Sequence, residues 1–187
     1  MNRTVRHFLA GAMTGLVLVL SACTDPTTAP ASTVSGENIF KDERSYLAFL
    51  AKIYAGMSTT GQQGPAGDKD IQTINDEGFS QYMRLYWEHQ ELPTDEAILA
   101  WQDGPVEEFN GQTWSSGNSF LGAMFARIYL QVGWANEFLA ETSDGKLSER
   151  GVGAALRTKI TQYRAEARFL RALAMSHGID LFGSIPI

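Results

Sequence analysis

The sequence predicts an all-α fold of paired helices joined by long irregular loops. Three observations carry this. Alternating apolar–polar runs of the kind that make strands are almost absent. Four segments place apolar residues at helical spacings of three and four. The last of them carries Ala165, Ala167, Ala172 and Ala174, whose small side chains let a neighbouring helix approach closely.

The first helix is predicted over Asp42 to Met57, with Tyr46, Leu50, Ile53 and Met57 at helical spacing and the acids Asp42 and Glu43 at its N-terminal end. "STTGQQGPAGDKD" is a loop. The second helix is predicted over Asp76 to Gln90, with Phe79, Tyr82, Met83, Tyr86 and Trp87 on one broad face and Pro93 marking its end. Glu91 to Gly117 shows little periodicity. It is punctuated by Gly and Pro yet rich in aromatics and acids, which argues for a functional loop over a disordered one. Asn118 to Glu141 is the clearest helix, capped by Asn118 or Ser119, with Leu121, Phe125, Ile128, Val132, Ala135 and Leu139 forming a stripe. "LSERGVGAALRTK" is a connection or short helix. The last helix is predicted from about Leu156 to Leu181, stopping at Gly183 with Pro186 beyond. Packing through small residues is the manner of tetratricopeptide-like helix pairs, although no clean repeat is visible.

Residues 1–22 read as an export signal. Arg3 and Arg6 precede the apolar run Phe8 to Leu20, which is too short for a comfortable membrane span. "LSAC" then places small residues before Cys23, the one cysteine of the chain, in the manner of a bacterial lipoprotein signal. Cys23 is expected to be lipidated, the other reading being an ordinary secretory signal with a chance cysteine, and residues 23–37, rich in Thr, Pro, Ala and Ser, form a flexible tether. Without Arg3 and Arg6, 13 basic residues face 21 acidic ones, a net charge of −8. That balance argues against nucleic acid as a partner. One cysteine excludes an intrachain disulfide framework.

"YRAEARFLRALAMSHGIDLFGSIPI", Tyr163 to Ile187, closely resembles the signature helix of the SusD/RagB family, outer-membrane lipoproteins of Bacteroidota that capture nutrients. The shared pattern runs from Tyr163 through Ala172 and continues at Asp180-Leu181-Phe182-Gly183 and Pro186. "ELPTDEAILAW", Glu91 to Trp101, is similar to the family's Ser/Thr-Asp-Glu segment, and "IYLQVGWANEFLAE", Ile128 to Glu141, to its helix ending in Ala-Asn. The resemblance implies that residues 38–187 are a SusD-like N-terminal helical domain and that the chain is incomplete. It also implies an oligosaccharide or similar nutrient as ligand, a SusC-like TonB-dependent transporter as partner, and a lipid-anchored place at the cell surface. No bond is broken in such a role, and no cofactor or metal is expected.

A glycan site needs flat aromatic faces for sugar C–H groups beside short polar side chains for hydroxyls. By resemblance, the segment after the Ser/Thr-Asp-Glu motif contributes to the ligand face, which points to Trp101, Asp103, Asn110 and Trp114. The competing reading has Trp101 and Trp114 plug the gap between helix pairs. Trp87 and Trp134 are expected in the core. Thr94 reads as a helix cap with Asp95 and Glu96 in the first turn. Glu88, His89 and Glu91 lack the second histidine that a helical metal site wants. His177 and Asp180 read as a helix-surface contact. Arg164, Arg168 and Arg171 share a stripe and are expected to pair with carboxylates on other helices. Two other functions stay open at this point: an exported glycoside hydrolase using carboxylates such as Glu96 and Glu107, and a helical-repeat scaffold that binds protein.

Overall fold

A computed structural model describes residues 39–61, 70–74 and 78–186. Residues 40–187 form one compact unit. The signal at 1–22, Cys23 and the tether at 23–37 lie outside the described residues. Among those residues there is no strand, and six helices carry the architecture: α1 Glu43–Ala55, α2 Tyr82–Glu91, α3 Gly104–Asn110, α4 Ser119–Glu141, α5 Asp144–Glu149 and α6 Ala154–Phe182.

α4 and α6 form the central pair. Arg164 meets Leu139 and Thr142, Arg171 meets Asn136, and Gly178 faces Ile128, so the two helices run antiparallel. Ala167, Ala174 and Gly178 are buried in this face, whereas Ala165 and Ala172 point to solvent. A Cβ on Gly178 would sit 2.7 Å from Ile185 Cδ1. The arginine stripe is anchored, but by neutral oxygens and not by carboxylates. Arg164 Nη1 donates to Leu139 O and Thr142 Oγ1 at 2.6 and 2.8 Å, and Arg171 Nη1 donates to Asn136 Oδ1 at 2.7 Å. Arg168 is exposed. Gly183 ends α6 at φ +73, a backbone state that glycine adopts without strain.

α1 lies along this pair. Its start is fixed by a capping box in which Ser45 N donates to Asp42 Oδ1 and Asp42 N donates to Ser45 Oγ. Phe40, Tyr46, Phe49 and Phe138 pack as an aromatic group with ring centroids 5.0 to 6.5 Å apart. Lys159 Nζ bonds Glu43, and Tyr54 OH donates to Glu166, tying α1 to α6.

The second part of the core joins α2, α3 and the N-terminal half of α4 through Tyr82, Leu85, Leu92, Val106, Phe109, Phe120, Met124 and Ile128. α2 begins at Tyr82, later than the periodicity suggests. It buries Tyr82, Leu85, Glu88 and His89 and leaves Met83 and Trp87 half exposed. Trp87 is therefore not a core residue. Trp134 is partly buried, with Lys52 Nζ 4.6 Å above its ring. The deepest face of α4 is offset from the apolar stripe because it includes Arg127 and Gln131, both 1% exposed. A count of hydrophobic residues passes over both.

Candidate functional site

The ligand-facing candidates lie between α2 and α4, where the chain is irregular. α3 was not visible in the sequence. It is seven residues long, too short for a periodic signal, and opens with Pro105 in its first turn. Asp103 occupies its N-cap position without a side-chain capping bond.

Trp101 lies in the irregular run before α3 and is 49% exposed. Beside it stands Arg84 of α2, whose Cζ is 5.2 Å from the Trp101 ring and 4.8 Å from the Phe79 ring. A guanidinium held between two aromatic rings is stabilised by their electron-rich faces. Arg84 Nε donates to Glu88 Oε1 at 2.9 Å, one turn along the helix. Arg84 Nη2 and Glu88 Oε2 are shut off from solvent and have no hydrogen-bond partner among the described residues. Burial pushes the Glu88 carboxyl up. Arg84 opposes this, and the charge of Asp103 adds to it. Trp101, Arg84 and Asp103 thus form one polar–aromatic neighbourhood, with the buried Glu88 carboxyl behind Arg84. An indole face accepts the C–H side of a sugar ring, and a guanidinium donates to hydroxyls. Nothing in the sequence marks Arg84 beyond its i,i+4 relation to Glu88.

The other two expected residues stand elsewhere. Asn110 closes α3 and donates from Nδ2 to Leu99 O at 3.0 Å, while Gln112 Nε2 donates to Pro93 O at 2.5 Å. Together they hold the 92–99 segment, where Asn110, Thr94, Asp95 and Glu96 line a cavity of about 290 Å³. Thr94 starts no helix. Its Oγ1 donates to Glu91 O and accepts from Glu96 N, forming a local turn that competes with helix. Trp114 lines a separate, open cleft of about 600 Å³ with Leu121, Phe125 and Phe182, and its ring is 6.0 Å from that of Phe109. Asn110 and Trp114 therefore face different cavities, and Trp101 and Asp103 group with Arg84.

His177 also departs from expectation. Its Nδ1 lies 2.9 Å from Tyr82 OH and its ring stacks on Tyr86 at 4.0 Å, so it seals α6 onto α2. Asp180 accepts from Gln90 Nε2 instead. Among the described residues no three His, Cys, Asp or Glu side chains come together as a metal cluster, and no helix is long and apolar enough to cross a membrane.

No protein-family model matches the chain. It is 33% identical over 138 residues to the starch-binding protein SusD of Bacteroides thetaiotaomicron, an alignment covering 73% of this chain and 23% of that protein. It is 25% identical over 177 residues to SusD-like protein P2 of Formosa agariphila, covering 91% of this chain and 29% of that one. The chain thus spans less than a third of the length of these curated relatives.

Proposed function

The chain belongs to the SusD-like family, and from that premise we propose that it is part of a cell-surface lipoprotein that binds a glycan and passes it to a SusC-like, TonB-dependent outer-membrane transporter. The ligand is bound and released without bond cleavage. Lipidation of Cys23 holds the protein at the outer membrane, and residues 23–37 let the helical domain stand away from it. One relative is a starch-binding protein, which makes starch-type oligosaccharides the first ligands to test.

The observation that carries the binding reading is the half-exposed Trp101 with the Arg84 guanidinium 5.2 Å from its ring. Stacking on Trp101 supplies apolar contact, Arg84 Nη1 supplies a donor, and Asp103 supplies acceptors. Calorimetric titration with maltoheptaose tests this. Trp101→Ala should weaken binding by about tenfold or more, the loss seen when an aromatic anchor is removed. Equal affinity in the variant and the parent would remove Trp101 from the site. For the anchor, Cys23→Ser should move the protein out of the membrane fraction. Retention there would overturn lipidation.

A further inference from the structure

Arg127 sits on the buried face of α4, 1% exposed, where an amphipathic helix would ordinarily place an aliphatic residue. Its Nη1 and Nη2 donate to Asp70 Oδ2 and Oδ1 at 2.7 and 2.6 Å. Its Nε donates to Ser80 O at 2.5 Å, and Nη2 also donates to Ser80 Oγ at 2.6 Å. One guanidinium therefore grips two points of the chain that lie ahead of α2. Desolvating an arginine is costly, and a well-packed aliphatic side chain often serves stability as well or better. The geometry instead gives this residue a task of placement.

What it places can be followed atom by atom. Ser80 directly follows Gly78 and Phe79. The Gly78 carbonyl accepts from Arg84 Nη1 at a long 3.5 Å, and the Phe79 ring lies 4.8 Å from Arg84 Cζ. Gly78 takes φ +85, so the turn that aims Phe79 at Arg84 is one that glycine adopts freely. On the far side of Ser80, Gln81 Nε2 donates to Ser58 O and Met83 N donates to Met57 O, which ties the start of α2 to the end of α1.

We propose that Arg127 is a positioning residue for the Arg84–Trp101 surface. By locking Asp70 and Ser80 it fixes Gly78 and Phe79, and these set the Arg84 guanidinium against Trp101. The ligand never touches Arg127. This inference rests on the glycan-binding reading for its functional meaning, but the positioning itself is measurable without a ligand.

The test uses the whole chain with Arg127→Met and Asp70→Asn, each alone and combined with Arg84→Ala. Amide hydrogen exchange over residues 78–84 should quicken about tenfold in both single variants while α4 and α6 keep parental protection. Maltoheptaose binding should weaken about tenfold in each, with little further loss once Arg84→Ala is present, because both changes break the same connection. Parental exchange over 78–84 in a folded variant, or losses that multiply in the double variants, would overturn the proposal. If the parent chain binds no maltoheptaose, the glycan reading fails by itself and the exchange result still decides the role of Arg127. If Arg127→Met does not fold, Asp70→Asn, which removes one of the two carboxylate acceptors that orient the guanidinium on Ser80, makes the same comparison.

Discussion

Replacing Asn118 by alanine would test whether one side chain joins α3 to α4. Asn118 is 4% exposed. Its Oδ1 accepts from Phe120 N and Leu121 N at 2.9 and 3.3 Å, capping α4. Its Nδ2 donates to Pro105 O at 3.0 Å and to Glu108 Oε2 at 2.8 Å, both on α3. Alanine removes the cap, worth about 1 kcal/mol. It also leaves partly buried acceptors on α3 without their donor, at about 1–3 kcal/mol. The expected loss is therefore about 2–4 kcal/mol in urea unfolding followed by circular dichroism. Asn118→Ser separates the two parts, since its hydroxyl can still cap but cannot reach α3. It should recover about 1 kcal/mol relative to alanine. An alanine variant within about 0.5 kcal/mol of the parent would refute the reasoning, because that is the scatter of ordinary surface changes.

Three further outcomes are expected. Glu88 has its carboxyl raised mainly by burial, so its contribution to stability is fully present below its ordinary value of 4.5 and is lost as pH rises through the higher folded value. Melting curves across this range should show the parent losing ground against Glu88→Gln as pH increases, and a constant difference would refute this. His177 is held below its ordinary 6.5, first by burial, with Asp180 opposing. Its contribution is present above 6.5 and lost as pH falls through the lower folded value, so His177→Asn should flatten the acid side of the stability curve; an unchanged slope would count against the Tyr82–His177 seal. Gly56 has helical backbone, yet a Cβ there would lie 2.4 Å from Gln131 Oε1 and 2.6 Å from a Trp134 ring carbon. Gly56→Ala should lower stability by about 1–3 kcal/mol in the same urea assay, and an unchanged midpoint would show that the neighbours yield freely.

The helices legible in the sequence were those long enough to repeat an apolar pattern several times. α1, α4 and α6 fall within a few residues of their predicted spans, and Asp42, Asn118 and Gly183 act at their ends as their chemistry suggests. α3 escaped because seven residues complete barely two turns. Thr94 misled because a cap and a free-standing turn begin with the same hydroxyl-to-amide bond, and only the following backbone separates them. The candidate site is legible in part. Residue type points to Trp101 and Asp103, but Arg84 joins them through a contact across 17 positions of sequence, which local spacing cannot encode. Asn110 and Trp114 are near Trp101 in the chain, yet the turn of α3 sends them to other cavities.

The neutral oxygens that receive Arg164 and Arg171 make the α4–α6 seam indifferent to acid. Neither the Leu139 carbonyl, the Thr142 hydroxyl nor the Asn136 amide takes up a proton in the range where carboxylates do. These bonds therefore persist as pH falls, whatever happens to ion pairs elsewhere. Hydrogen exchange at stepped pH should show the seam keeping its protection, and early loss there would exclude this. The central hairpin is a joint whose closure carries no pH setting.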